Sequence, residues 1–549
     1  MELVTPAPSK TSEPFTAFQF DFPGKSDVVN RKEIDPWQKP FRYLTHVGRK
    51  PYKRGVLQNT QKYDPFVNEA LRHFDNDFRK SLTGWTRTPG DEFKLRESLD
   101  KYDRPSRTFE NVFHGNDKLR ACYEQAYSEV FSEFALDQKV VPKFPTAVDL
   151  VMDSSSGYPH FRKKSEMKNQ ILHEGRTWLH HAKSKDYNRL PLLPCSVGVR
   201  GALSPESDPK TRLVWMYPAA VTVAEGVYAQ PLIKAIYEQK ADLLLVGVET
   251  RFRLARFLSL IAEEKGDYGV GLDFSSYDTF PVQDLIRDAF KILKQNLAFG
   301  TYWDPENGNV TAGLDDLRDF DRVRARAERG YDNIVEYFIH TPMILPNGRV
   351  VRKHHGVPSG SHFTNLIDSI VNRLLQKTFG FYTERSIRQL RTNGDDSAFI
   401  VSESYVDNIL EDAATFFKLW YMTMKPEKSV VAGSPKNMHI SGTTWLSLHP
   451  TRTDEQWFQM ALYPSTYVKD ANMAFQRLLG IGIAGAFYSS RYCTFFEYFQ
   501  TGYDCRHGPN LLSWKRLRWL EPVFGINDLP KIYKKKSAVT KIRGLLWAP

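Results

Sequence analysis

Cysteine is scarce: Cys122, Cys195, Cys493 and Cys505 are the four in a chain of 549 residues. No two form a Cys-x-x-Cys pair and their spacing follows no ladder, which excludes a disulfide scaffold and predicts free thiols in a reducing compartment. Cys505 and His507 lie close together but lack the further ligands zinc needs. Residues 1–20 carry neither an early basic cluster nor an apolar run, so no secretory leader is expected. Long hydrophobic runs are missing too. The most membrane-like stretch, residues 478–488, falls far short of the ~20 apolar residues of a span, and a soluble protein with no membrane partner is expected.

Hydrophobic residues make up 41% of the chain and charged ones 25%, enough to bury a core and too apolar for a disordered chain. The net charge of +11 favours polyanions, nucleic acid above all. The length allows roughly three to four domain-sized units. Residues 1–60 are rich in Pro, Lys and Arg, lack periodicity, and read as an extended arm. Phe66, Ala70, Leu71 and Phe74 then recur at helical spacing. Residues 196–200 and 210–215 flank a turn-forming Ser-Pro-Glu-Ser-Asp-Pro and read as a β-hairpin, with Lys210 and Arg212 on one face. Residues 218–239 are helical. Residues 268–272 form a short apolar strand ending in Asp273, and Val282, Leu285, Ile286, Ala289, Phe290 and Leu293 form a helical stripe after it. Leu366, Ile367, Ile370, Val371, Leu374 and Leu375 mark a buried helix, and a further helix runs from Val406 to Trp420. The chain beyond residue 450 is mostly helical, and its basic run at 531–543 reads as a solvated tail or a lining of an RNA path.

The chemistry gathers on Gly394-Asp395-Asp396, which sits between Arg391-Thr392-Asn393 and the strand-like Ser397-Ala398-Phe399-Ile400-Val401. A tight turn there presents acids at a hairpin tip, and Gly394 can supply the positive φ such a turn needs. Paired carboxylates repel unless a cation sits between them, and hard oxygen ligands suit Mg²⁺. Another acidic doublet, Asp315-Asp316, opens a helical stretch that ends in Arg322, Arg324, Arg326 and Arg329. Acids first and bases last suit a helix dipole, so that doublet is read as structural. The order strand, helix, helix, hairpin, helix, strand brings Asp273 and Asp395 to neighbouring strand ends if the sheet pairs as β-α-β-β-α-β. Two metals held there would serve phosphoryl transfer. Lys210 and Arg212 are candidates to neutralise a triphosphate, and Lys428 is a candidate proton donor to pyrophosphate.

Taken together these stretches resemble the viral RNA-dependent RNA polymerases, and among them most nearly those of partitiviruses, with picobirnaviruses second. Asp273-Phe274-Ser275-Ser276-Tyr277-Asp278 resembles motif A. Gly356-Val357-Pro358-Ser359-Gly360-Ser361-His362-Phe363-Thr364 and the residues on to Asn372 resemble motif B. Gly394-Asp395-Asp396 resembles motif C, Lys210 to Trp215 motif F, Lys428 the lysine of motif D, and Ser155-Ser156-Gly157-Tyr158-Pro159 motif G. The resemblance implies an α+β, mainly helical right hand of fingers, palm and thumb, with a ferredoxin-like βαββαβ palm core. The expected division is an arm at 1–60, fingers at 61–220, palm at 221–450 with an insertion at about 296–350, and thumb plus basic tail at 451–549. Asp273, Asp395 and Asp396 are implied as catalytic ligands of Mg²⁺ or Mn²⁺. Asp278, Thr364, Asp368 and Asn372 are implied around the nucleotide ribose, and Ser359 and Gly360 in a loop that moves with the template. Arg200, Ser156 and Gly157 are implied as RNA contacts. Asp368 departs from the Asn that many positive-strand viral polymerases carry there, which implies a differently wired ribose network. The implied partners are RNA template and product duplex, NTPs and a viral capsid protein, and the implied location is the virion interior and host cytoplasm. A reverse transcriptase and a non-catalytic, capsid-associated RNA-binding protein are the alternatives. The polar Asp278, where a dNTP enzyme places bulk, argues against the first. The ordered acids argue against the second.

Overall fold

The computed structural model describes residues 35–52, 62–87, 92–185, 190–244, 266–311, 317–433, 438–440, 443–446 and 449–503. The Asp315-Asp316 doublet, Cys505, His507 and the basic run at 531–543 lie outside the described residues.

The acids are carried by a four-stranded sheet. In chain order its unit is β1 (Asp267–Leu272), α1 (Gln283–Lys294), α2 (Thr364–Tyr382), β2 (Arg388–Asn393), β3 (Asp396–Ser402), α3 (Ile409–Leu419) and β4 (Val430–Ala432). The strands lie in the order β2-β3-β1-β4 and all pair antiparallel. This is the expected βαββαβ arrangement, with β1 at the centre. α1 buries Leu285, Ile286, Ala289, Phe290 and Leu293, the stripe read from sequence, and leaves its lysines outside. α2 is different. It is buried on nearly every side, and Asp368, Ser369, Asn372 and Gln376 are buried along with its leucines. Polar groups so enclosed must find partners within the protein, and theirs determine the shape of the site.

A second sheet of five strands stands beside it, in the order Thr45–Arg49, Arg349–Arg352, Pro342–Ile344, Cys195–Ala202, Lys210–Met216. The expected hairpin is present, with Arg200 opposite Arg212 and Ala202 opposite Lys210. The edge strand Thr45–Arg49 comes from the expected arm, so part of that arm is integral to a sheet. The expected insertion folds as a hairpin, Thr301–Asp304 with Gly308–Thr311, and the long helix Leu317–Ile339.

The apolar side chains form two clusters. The larger surrounds α1, α2 and the helix Ala219–Gln239. The smaller joins Pro65–Phe74 and Asn76–Ser81 to the helices Asp454–Leu462, Ala471–Ile483 and Ser490–Gly502. The expected fingers unit of 61–220 is therefore not one packing unit, because its first two helices share a core with the C-terminal ones. An amphipathic stripe such as Val67, Ala70 and Leu71 requires a partner without specifying which. No helix among the described residues is long and apolar enough to cross a membrane.

Candidate active site

The hairpin between β2 and β3 closes in two residues, since Asn393 pairs with Asp396. Gly394 has φ +61°, and Asp395 stays at negative φ, the pattern of a type II′ turn with glycine first. The turn thus presents Asp395 at its tip. Across β3, Leu272 pairs with Ser397, so Asp273 comes off the end of β1 beside the turn. The two carboxylates feel each other's charge: burial, and then Asp273, raise the proton affinity of Asp395, and Arg212 opposes them. Arg212 reaches in from the neighbouring sheet, from the face it shares with Arg200 and Lys210.

Behind the turn, α2 offers a polar stripe at helical spacing: Asn365, Ser369, Asn372 and Gln376. The Asn372 amide donates to the carbonyl oxygens of Gly394 and Asp395 at 3.0 Å each and of Asp396 at 3.3 Å. Gly394 N–H donates to Ser369 Oγ at 2.8 Å, and Asn365 donates to Asn393 Oδ1 at 2.9 Å. Gln376 donates to Asn372 Oδ1 at 3.2 Å and Ser397 Oγ at 3.1 Å. Asn372 is fully buried, and its amide holds the turn that carries the acids. The stripe was visible in the sequence as polar residues recurring within an apolar helix.

Asp396 lies one step beyond the Ser397–Leu272 pair, alongside Asp273 in the register of β3 with β1. Among the described residues no three His, Cys, Asp or Glu side chains converge on one point. Alternation along β3 turns Asp396 away from the face on which Ser397 meets Gln376. Asp273 and Asp395 are the pair whose carboxylates feel each other's charge. Two crowded, hard oxygen donors fit a Mg²⁺-like ion that takes its remaining ligands from water and phosphate.

Asp278 and Asp368 stand next to that pair. Asp278 lies in a short turn after β1, and burial, then Asp395, push its carboxyl up to about 6, against Arg212. Asp368 on α2 is fully enclosed. Burial first, then Asp278 and Asp395, raise it well above the carboxylate range, with only Lys353 opposing. Its Oδ1 has no hydrogen-bond partner among the described residues. A protonated carboxyl donates and accepts like a side-chain amide, so the departure from Asn changes the atoms more than the hydrogen-bonding capacity.

The loop before α2 is clamped from several directions. Ser359 Oγ accepts from Trp215 N–H at 3.1 Å, and a Cβ on Gly360 would stand 1.8 Å from the Trp215 carbonyl oxygen, so only glycine fits. Thr364 Oγ1 donates to the carbonyls of Pro358 at 2.6 Å and Ser361 at 3.0 Å. That hydroxyl closes its own loop. Two holders were missed in the sequence. Buried Lys353 donates to the carbonyls of Phe338, Ile339 and Gly356 at 2.7, 2.8 and 2.7 Å. Glu225, the one acid in an apolar stretch of the helix Ala219–Gln239, accepts from Ser361 Oγ at 2.8 Å and His362 N–H at 3.1 Å. Burial raises that carboxyl to about 8.

Lys428 is exposed on the segment that returns to β4. This segment is tied to Asp273, whose N–H donates to Ser429 Oγ at 3.0 Å and whose carbonyl accepts from Lys425 N–H at 2.9 Å. Ser156 and Gly157 lie in a loop docked on the start of the helix Ala219–Gln239, where Ala219 N–H donates to the Ser156 carbonyl at 2.8 Å. Trp215, read as core, is 1% exposed.

The fold and the acids can now be set against known proteins. The picobirnavirus RNA-dependent RNA polymerase superposes with a TM-score of 0.58 at 17% identity, over 89% of this chain and 94% of that one. Likeness at this identity shows the fold, a right hand with a mainly helical build. The RNA-directed RNA polymerase of Cryptosporidium parvum virus 1 is 26% identical over 305 residues, 53% of this chain and 50% of that protein. The RNA-directed RNA polymerase of White clover cryptic virus 1 is 26% identical over 282 residues, 46% of this chain and 44% of that protein. The chain thus spans about half the length of these curated relatives. Residues 58–500 match the family model for viral RNA-dependent RNA polymerase, a span that includes every motif quoted above. With the sheet order, the paired acids and that match in agreement, the chain belongs to the viral RNA-dependent RNA polymerase family.

Proposed function

We propose that this chain is the RNA-directed RNA polymerase of a small double-stranded RNA virus, copying RNA from NTPs by two-metal nucleotidyl transfer. The observation that carries the reading is the meeting of Asp273 and Asp395 at one end of the sheet, with Arg212 the cation facing them. Mg²⁺, or Mn²⁺, bound by those carboxylates would polarise the α-phosphate, ease deprotonation of the 3′-hydroxyl and neutralise the leaving pyrophosphate. Arg212, with Lys210 on the same strand face, orients the triphosphate through charge-assisted hydrogen bonds. Asp278 and protonated Asp368 read the ribose 2′-hydroxyl, which both donates and accepts. Lys428 gives a proton to the pyrophosphate oxygen. Ser359 and Gly360 move with the template, and Arg200, Ser156 and Gly157 contact it. The division into fingers, palm from about 221 to 450 and thumb beyond it belongs to the same proposal. So do binding of the product duplex, capsid protein as partner, and residence in the virion interior and host cytoplasm, all of which rest on the resemblance.

The test is templated synthesis by the purified chain with Mg²⁺ and either NTPs or dNTPs. RNA product from NTPs is expected, with Asp395→Ala reducing it by about 10²–10³-fold or more, the scale on which transition-state charge stabilisation is lost. Synthesis by that variant at the wild-type rate, or equal use of dNTPs, would overturn the reading.

A further inference from the structure

A cavity of about 140 Å³ lies on the flank of the site, lined by Arg104, Arg107, Thr279, Phe280, His355 and Tyr421 among others. Three segments that serve the proposed site meet there. Thr279 and Phe280 follow Asp278, His355 opens the loop to Gly360, and Tyr421 begins the stretch that is tied to Asp273. The Arg104 guanidinium lies 4.2 Å from the Phe280 ring centroid, and that of Arg107 lies 3.7 Å from the Tyr421 centroid. Stacking fixes each guanidinium plane and leaves its N–H edge free to donate.

Those edges lack acids. Several other half-buried or buried arginines are paired with acids, such as Arg96 with Asp100 at 2.7 Å, Arg287 with Glu336 at 2.9 Å and Arg373 with Glu133 at 2.6 Å. Among the described residues neither Arg104 nor Arg107 has an acid partner; each stacks on a ring, and the charge of Arg104 also reaches His355. The nearby carboxylates are engaged elsewhere. Asp103 accepts the N–H groups of Arg42, Tyr43 and Leu44 at 2.8, 2.6 and 2.9 Å, and Asp284 accepts from Phe109 N–H at 2.8 Å and pairs with Arg287 at 3.3 Å. His355 adds an independent sign. It is 5% exposed, it lines this cavity, and neither ring nitrogen has a hydrogen-bond partner among the described residues. Buried polar groups are rarely left unmatched. Two guanidinium groups without an acid partner and one buried, unmatched imidazole around one recess suit an anion with several oxygens, and phosphate is the group that Arg forks fit.

We propose that this recess is a polyphosphate subsite, in which Arg104, Arg107 and His355 hold the phosphates of a nucleoside triphosphate entering the site or of the pyrophosphate leaving it. The nucleotide identity rests on the polymerase reading, whereas the phosphate chemistry does not. The experiment uses the full chain carrying Arg104→Gln and Arg107→Gln, with Arg107→Gln alone as the milder variant should the pair fail to fold. Calorimetry with inorganic triphosphate, which needs no turnover, is expected to show affinity weakened about tenfold, the loss of a charge-assisted contact. In synthesis, a rise in the KM for NTP at a kcat within about twofold of wild type assigns the entering triphosphate. A rise in the inhibition constant of pyrophosphate at unchanged KM assigns the leaving group. Unchanged triphosphate affinity in a folded variant overturns the proposal, as does weakened binding of a short single-stranded RNA with triphosphate binding intact. Triphosphate binding that depends on these arginines in a chain without polymerase activity would keep the subsite and remove the polymerase reading.

Discussion

At the scale of single residues, the site is a problem of crowded negative charge. Asp273, Asp278, Asp368 and Asp395 lie within each other's fields, and the chain answers them with Arg212 and buried Lys353. Burial decides how each acid responds. Asp368, fully enclosed, is pushed furthest toward its neutral, hydrogen-bonding form. Asp368→Asn, an uncharged group of similar shape, is therefore expected to keep both polymerisation and the preference for NTPs over dNTPs. Asp368→Ala should lose about tenfold or more of that preference, the cost of an unmatched polar contact. Measuring incorporation of NTP against dNTP in both variants checks this, and a dead Asp368→Asn beside an active Asp368→Ala would refute it. The acids themselves were legible in the sequence. Their protonation was not, because it depends on enclosure by α2, the loop before it and the strand of Arg212, which come from distant parts of the chain.

At the scale of elements, two helices act as scaffolds for two irregular segments. α2 grips the turn at Gly394 through Ser369 and Asn372, and the helix Ala219–Gln239 grips the Ser361–His362 stretch through Glu225. The second grip carries a pH signature. An ordinary glutamate titrates near 4.5, and burial raises Glu225 to about 8. Between those values the folded protein retains a proton that the unfolded chain has released. The contribution of Glu225 to stability is therefore complete at low pH and is lost as pH rises through that window. Glu225→Gln has no such proton to lose. The difference in Tm between Glu225→Gln and wild type should move in favour of the variant as pH rises from about 6 to about 9, and parallel Tm curves would count against the assignment. The helices were legible as periodic stripes, and so was the hairpin with Arg200 and Arg212 on one face. The backbone bonds of Asn372 and Thr364 were not, because spacing alone does not say which distant carbonyl a polar side chain meets.

At the scale of the whole molecule, the N-terminal and C-terminal parts close on each other. Asp64, fully buried, caps the helix Pro65–Phe74 and pairs with Arg477, which also donates to the carbonyls of Met460 and Ala461 at 3.2 Å each. Asp75 pairs with Arg491 nearby. Removing one partner of a buried ion pair leaves the other uncompensated, so Arg477→Met should destabilise the smaller cluster by on the order of 3 kcal/mol. The expected readout is an earlier unfolding step, seen as a lower Tm and faster proteolysis within residues 454–502. A variant as stable as wild type would show that this closure contributes little.

The sequence by itself determined the local chemistry: which strand ends in an acid, where glycine permits a tight turn, which helices have one apolar face, and that the chain is basic. These depend on residue type and short-range periodicity. The tertiary structure alone decided what long-range packing controls. It tied the Asn372 amide to the turn and the Thr364 hydroxyl to its own loop, gathered Arg104, Arg107 and His355 around one recess, and joined residues 65–82 to the C-terminal helices. An apolar stripe or a polar side chain states what it needs, and only the folded chain determines which distant group supplies it.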